Sequence, residues 1–254
     1  MSAPPFLAAG ALLGISDGNA GAPVVAAVVG CGGKTTFISA LAREYRQKKV
    51  LITPTTKILP MRDQDVVVRT TLADCEKHSP VTGIQCLGIQ NSVTGKLEAL
   101  PSELLARIAP QYDLILLEAD GSRGLPCKGW RDDEPVVPDY CTHTVGIVTM
   151  DAIGKPADDC NVLRLPEFLA LTGLHEGEPI TPKALGAMIC APGGMFKNSA
   201  GMAYLFVNRV EDEKTATLAG EWLRDIQTQH PGRFRGLAYG SAQSNQWQEA
   251  GTEC

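Results

Sequence analysis

The stretch VVAAVVGCGGKTTFISALA, Val24 to Ala42, decides how the rest of the chain is read. It begins apolar and β-branched, the pattern of a strand buried on both faces of a sheet. It turns glycine-rich at Gly30, Gly32 and Gly33, and from Lys34-Thr35-Thr36 it takes up the amphipathic spacing of a helix that ends in basic residues. Strand, glycine turn and a helix opened by Lys-Thr are the order of a phosphate-binding loop. The spacing Gly-x-x-x-x-Gly-Lys-[Ser/Thr] fails, because Val28 stands where its first glycine belongs. The shorter Gly-x-x-Gly-Lys-Thr of some nucleotide-binding families is met by Gly30-Cys31-Gly32-Gly33-Lys34-Thr35.

Each part has a chemical reason. Glycines let backbone N–H groups approach phosphate oxygens, and the helix N-terminus adds a favourable dipole. Lys34 is placed to reach the terminal phosphates of ATP or GTP, the Thr35 hydroxyl to ligate Mg²⁺, and Thr36 to serve as a reserve phosphate contact. The competing reading is a tight turn whose lysine points into water. Agreement of the strand before, the turn and the helix after favours the nucleotide site. Cys31 beside N–H groups and a lysine invites a redox role; a small residue that fits the turn is the simpler reading.

The chain of 254 residues carries a net charge of −5, with Lys and Arg dispersed, so nothing marks a nucleic-acid partner. No apolar run approaches a membrane span. The opening MSAPPFLAAGALLGISDG has an apolar patch but no Lys or Arg before it, and Pro4-Pro5 interrupts it, so it reads as an ordered entry segment rather than a secretory signal. Eight scattered cysteines without a Cys-x-x-Cys pair suggest free buried thiols in a reducing cytoplasm, not disulfides or zinc.

Short apolar strands are expected at 24–29, 49–53, 65–69, 85–89, 112–118, 144–149, 202–207 and 235–239. Helical patterns fall at 34–46, 163–172, 182–189 and 213–229. This alternation predicts an α/β fold, a doubly wound, mostly parallel sheet of P-loop NTPase type. It forms a single domain over 1–254, with a less regular insertion at about 57–110 in which LGIQNSVTGKLEAL, residues 87–100, reads as a hairpin.

In such a sheet the strand C-termini line the ligand crevice. TPTTK, residues 53–57, ends one strand and offers Thr55 and Thr56 to Mg²⁺ or the γ-phosphate and Lys57 to an anion; a polar turn is the plain alternative. EADGSRGLPCKGWRDDEP, residues 118–135, delivers Glu118 and Asp120 on one side of a strand end. That pair suits holding Mg²⁺ and orienting a nucleophile. The Arg123, Lys128 and Arg131 that follow suit an anionic second substrate, or else pair with Asp132, Asp133 and Glu134. Near the end, Asn208-Arg209-Val210-Glu211 resembles the Asn-Lys-x-Asp guanine motif, with Glu211 or Asp212 supplying the carboxylate. Gly240-Ser241-Ala242 resembles the loop whose N–H meets guanine O6.

Taken together, VVGCGGKTT, TPTTKILP, EADGSRGLPCKG with EPVVP, DAIGKP, ITP, GMFKN and VNRVED resemble the YqeC-like family over nearly the whole chain. The resemblance implies a cytoplasmic, P-loop-like nucleotide-binding protein assigned to the maturation of selenium-dependent molybdenum hydroxylases. It carries the family's motifs onto Gly30–Thr36, Thr53–Lys57, Glu118–Ser122 and Asn208–Glu211. At the last of these Arg209 replaces a lysine and Glu211 an aspartate, so base preference stays open. Only Arg164, Pro166 and Glu167 remain of a His-Arg-Pro-like stretch. Asp151 and Lys155 of DAIGKP fit either a substrate contact or a helix-entry turn.

Three functions fit. One is Mg²⁺-dependent hydrolysis of ATP or GTP, or phosphoryl transfer to a small anionic cofactor precursor, with Lys34, Glu118 and Asp120 as the catalytic groups. A second is a nucleotide-gated factor serving an apo molybdenum hydroxylase. The third is a non-catalytic nucleotide-binding scaffold.

Overall fold

A computed structural model describes residues 6–15, 22–61 and 64–250. Pro4-Pro5 and Cys254 lie outside the described residues. The chain enters through α1 (Ala9–Leu12) and runs through β1 (Val24–Gly30), α2 (Lys34–Glu44) and β2 (Lys49–Pro54). A less regular stretch follows: β3 (Lys57–Ile58), β4 (Val66–Arg69), α3 (Leu72–Glu76), β5 (Gly83–Leu87), β6 (Ile89–Gln90), β7 (Leu97–Glu98) and α4 (Ser102–Ile108). Next come β8 (Leu114–Glu118), β9 (Cys127–Lys128), β10 (His143–Thr149), β11 (Val162–Leu163), α5 (Leu165–Thr172) and α6 (Pro182–Cys190). The last elements are β12 (Met202–Asn208), α7 (Glu213–Gln229), β13 (Gly236–Ser241) and β14 (Gln246–Glu249).

Nine strands form one sheet in the order β14-β13-β12-β10-β1-β8-β2-β5-β4. Every neighbouring pair is parallel except β13–β14. The alternation of β1 divides the core. Val25, Ala27 and Val29 join one apolar cluster, with residues of α4, α5, α6 and α7. Val24, Ala26 and Val28 join the other, with Phe37, Ile38 and Leu41 of α2. Helices therefore cover both faces, and β1, β8 and β10 are buried along their whole length. This is the expected mixed α/β sheet. From β1 the chain moves out past β8 to β2, returns to fill the gap with β8, and then builds β10, β12 and β13 on the other side. The C-terminal end of β1 thus lies at the reversal of strand order, where α/β sheets leave a crevice.

Segment 57–110 divides. Strands β4 and β5 extend the main sheet, while β3, β7 and β6 form a separate antiparallel sheet in which β6–β7 is the expected hairpin. The Asn91 side chain accepts from the N–H groups of Val93 and Thr94 at 3.0 Å to make its turn. The helix expected from Leu163 starts two residues later. Pro166 lies in its first turn, and Val162–Leu163 instead pair with Cys127–Lys128 as a second small sheet.

An aromatic triad seats the helix that matters most. Phe37, one turn into α2, meets Phe206 of β12 at 5.0 Å and Trp247 of β14 at 5.7 Å, and those two meet at 4.8 Å, all edge to face. All three are almost fully buried. Each such pair contributes about 0.5–1.5 kcal/mol beyond its buried area. Six of the seven described cysteines are buried, and none is disulfide-bonded. Among the described residues no helix is long and apolar enough to cross a membrane.

Candidate functional site

The loop after β1 is shaped by close approach as much as by glycine freedom. Gly32, at φ +83°, and Gly33, at +127°, leave no room for a Cβ: it would lie 2.5 Å from Thr149 at the first and 2.2 Å from the Asn208 amide at the second. Any larger residue would push the loop off the ends of β10 and β12. The turn delivers the N-terminus of α2, which has no side-chain cap and no acidic residue in its first turn. Its first N–H groups lack intrahelical acceptors and open on a cleft of about 1120 Å³, lined at this end by Gly32, Gly33, Lys34, Thr35 and Thr36.

Two of the expected phosphate contacts lie elsewhere. The Gly30 N–H donates to both oxygens of Asp120 at 3.1 Å, and the Cys31 N–H to the Ile147 carbonyl at 2.9 Å. Both donors are consumed by the fold. The loop N–H groups left open to a ligand begin at Gly32. Cys31 is fully buried, and that burial pushes its thiol up to about 12, in keeping with a small residue that fits the turn.

Lys34 is buried and turned onto its own loop. Its ammonium donates to the Gly30 carbonyl at 2.5 Å and pairs with Asp120 at 3.2 Å. Burial by itself lowers the Lys34 pKa, but Asp120 and Glu118 outweigh it and hold the lysine above its ordinary value. Asp120 is fully buried and, besides Gly30 and Lys34, accepts from Trp130 Nε1 at 2.7 Å and pairs with Lys128 at 3.2 Å. Burial would raise its carboxyl; Lys34, Lys128, Trp130 and the Gly30 N–H hold it below the usual carboxylate value.

Asp120, expected to ligate metal and orient a nucleophile, is engaged here by the protein itself. Four donor groups occupy its two oxygens, and it braces the loop from beneath. Of the two readings open for Lys128, a second-substrate contact or an acidic partner nearby, the structure shows the pairing with Glu134. The lysine is wholly buried and tied to Asp120, to the Gly121 carbonyl at 2.8 Å and to Glu134 at 3.3 Å. Glu134 in turn pairs with Arg164. Lys34, Asp120, Lys128, Glu134 and Arg164 make one chain of alternating charge.

Glu118, next to Asp120 on the same strand side, behaves differently. It lines the cleft and accepts from the Thr35 hydroxyl at 3.1 Å. Burial raises its carboxyl, against the pull of Lys34 and Thr35. Thr55 also lines the cleft, but its hydroxyl donates to the Val136 carbonyl at 2.7 Å and its N–H to the Glu118 carbonyl at 3.1 Å. Thr35 and Glu118 are thus the groups that fit Mg²⁺, which takes one or two protein ligands beside phosphate oxygens. Lys57, Arg123 and Arg131 border the same cleft, Lys57 paired with Glu98 at 2.7 Å.

The residues of the expected guanine motif are largely occupied within the protein. The Asn208 amide donates to the Gly32 carbonyl at 2.8 Å, and its oxygen accepts the Ala242 N–H at 2.8 Å. Ala242, expected to meet guanine O6, has spent its donor on Asn208. Ser241 continues the β13–β14 ladder opposite Gln246. Asp212 caps α7 through Thr215. Arg209 reaches the cleft and pairs with Asp151, while Glu211 is exposed. Lys155 is exposed and away from the cleft lining.

Trp130 was not singled out from the sequence, and Arg164 was named only as a motif remnant; with Glu134, weighed there as a partner for the basic residues, they complete the brace of Asp120. Lys197 donates to the Arg131 carbonyl and Asn198 to the Pro135 carbonyl at 3.0 Å, so GMFKN pins the segment after Lys128. The crowding of Asp, Glu, Lys and Trp within residues 118–134 was the available signal.

Fold and site define a class: a mostly parallel α/β protein with a glycine-rich, lysine-bearing loop at the crevice of its sheet. The family model described as YqeC protein matches residues 26–166, more than half of the chain. The chain is also similar to the protein called uncharacterized protein YqeC of Escherichia coli (strain K12), 31% identical over 215 residues, which span 81% of this chain and 83% of that one. The chain belongs to the YqeC family.

Proposed function

We propose that this protein binds a nucleoside triphosphate with Mg²⁺ and turns it over by hydrolysis or phosphoryl transfer. The observation that carries the reading is the uncapped N-terminus of α2 with buried Lys34 beside it, at the end of a cleft large enough for a nucleotide. Lys34 leaves the Gly30 carbonyl for the terminal phosphates, and Lys128 keeps Asp120 neutralised when it goes. Thr35 and Glu118 hold Mg²⁺, which when bound neutralises charge on the phosphates. Glu118 also stands where it can orient the attacking group.

Base reading falls to Glu211 and Arg209, since Asn208, Ala242 and Asp212 are engaged, so ATP and GTP bind with similar affinity. A role in maturing selenium-dependent molybdenum hydroxylases rests on the family resemblance. The buried free thiols support a reducing compartment such as the cytoplasm. Calorimetry with non-hydrolysable ATP and GTP analogues and Mg²⁺, followed by turnover with and without an apo-hydroxylase, tests the reading. Absence of binding by either analogue would sink it. Binding without turnover under any condition would leave a nucleotide-binding scaffold.

A further inference from the structure

The cleft carries more positive charge than a nucleotide site of this kind uses. Seven Lys and Arg side chains line it against three carboxylates, in a chain whose net charge is −5. Four of the seven are accounted for: Lys34 by the phosphate loop, Lys57 by Glu98, Arg164 by Glu134 and Arg209 by Asp151. The remaining three, Lys96, Arg123 and Arg131, have no carboxylate within ion-pair distance among the described residues. Uncompensated cations gathered in one cleft raise the local concentration of anions and favour their binding there.

Their backbones are fixed while their charged ends are free. The Gly121 carbonyl, two residues before Arg123, is tied to buried Lys128 at 2.8 Å, and the Leu125 N–H closes a turn on Ser122 at 3.0 Å. Arg123 itself is held at φ +52°, an uncommon conformation for a side-chain-bearing residue. The Arg131 carbonyl accepts from Lys197 and from the Glu134 N–H. Lys96 comes from the β6–β7 turn and acts on Glu118, whose carboxyl its ammonium lowers.

We infer that Lys96, Arg123 and Arg131 form a second anion subsite, sharing the cleft with the phosphate loop, that takes a phosphate-bearing co-substrate. Two guanidinium groups suit phosphate oxygens, which they bind through paired N–H donors. The inference rests on the nucleotide reading for what occupies the other end of the cleft. Lys128, buried beneath, anchors this subsite without touching its ligand.

Inorganic phosphate is the probe. In wild-type protein saturated with a non-hydrolysable triphosphate and Mg²⁺, calorimetry should detect one further phosphate site. The Arg123→Ala/Arg131→Ala variant, checked for folding by circular dichroism, should bind that phosphate about tenfold or more weakly, the loss expected for charged hydrogen bonds. Its triphosphate affinity should change by less than about threefold. Lys34→Ala should show the converse, losing triphosphate while keeping phosphate. If wild type binds no triphosphate, the nucleotide reading fails, and phosphate titrated into nucleotide-free Lys34→Ala and the arginine variant still decides the subsite. No phosphate binding in wild type, or equal binding in the arginine variant, overturns it.

Discussion

The two ends of the cleft use the same kind of residue for opposite purposes. At the glycine-loop end, polar side chains are drawn into the protein. Asp120 and Lys128 are fully buried and Lys34 nearly so, and together they fix the loop while leaving the α2 N-terminus open. At the end of β12, beside Arg209, Asn208 and Asp212 serve the fold directly. Asn208 ties the glycine loop to the end of β13, and Asp212 starts a helix. A motif that reads bases elsewhere is here mainly a strut. The difference teaches that matching residue types establish where a strand ends, while the partners already in place establish which groups remain free for a ligand.

The largest expected effect tests whether the buried brace is structural. Asp120→Asn leaves Lys34 and Lys128 without their shared carboxylate and should cost about 3–5 kcal/mol, read from urea unfolding. The Asp120 pKa is depressed in the folded state, so its contribution is present above the unfolded value of about 3.9 and fades as pH falls through the folded value. The difference between wild type and Asp120→Asn should therefore be full at neutral pH and shrink below about pH 4. A difference independent of pH would mean that the ion pairs are not its source.

Lys34→Ala comes next. It should weaken triphosphate binding about ten- to a hundredfold, as loss of a charge-assisted contact does. The fold should survive, because Lys128 still compensates Asp120. Unchanged affinity by calorimetry would erase the contrast between the two ends. Asn208→Ala should cost about 1–3 kcal/mol in thermal or urea unfolding by stranding the Gly32 carbonyl and the Ala242 N–H. A selective loss of GTP over ATP with no loss of stability would instead restore its role as a base contact. Smallest of all, Glu211→Ala should shift the ratio of GTP to ATP affinity by less than about threefold, as exposed charges do. A larger shift would show that the β12 end reads its ligand after all.

How much of this was legible in the sequence follows from what sequence patterns encode. Periodicity gave the eight main strands to within a few residues, because burial on both faces demands apolar runs such as Val24–Val29 and Leu114–Leu117. The glycine loop was legible from composition and order. The fates of Asp120 and Lys128 were not. Alternation placed Asp120 beside Glu118, as found, but could not say that Trp130, ten residues on, would fold back to bury it. Lys128 read equally as a contact for an anionic substrate or as a partner of Asp132, Asp133 or Glu134, because nothing local says that a lysine will be wholly buried against Gly121 and Glu134. β14 went unrecognised. QWQE carries one apolar residue, and only its pairing with β13 and the burial of Trp247 make it a strand.

That last strand has a consequence for how the protein comes into being. Trp247 packs on Phe37, one turn beyond Lys34, and its backbone also pairs with Leu7 near the opposite end of the chain. Helix α2 thus waits for a strand more than two hundred residues further along before it is seated. During synthesis, the stretch that holds Lys34 stays without its final support until residue 247 has emerged. A chain stopped after Gly240 is therefore expected to keep much of its sheet and lack a settled glycine loop ahead of α2.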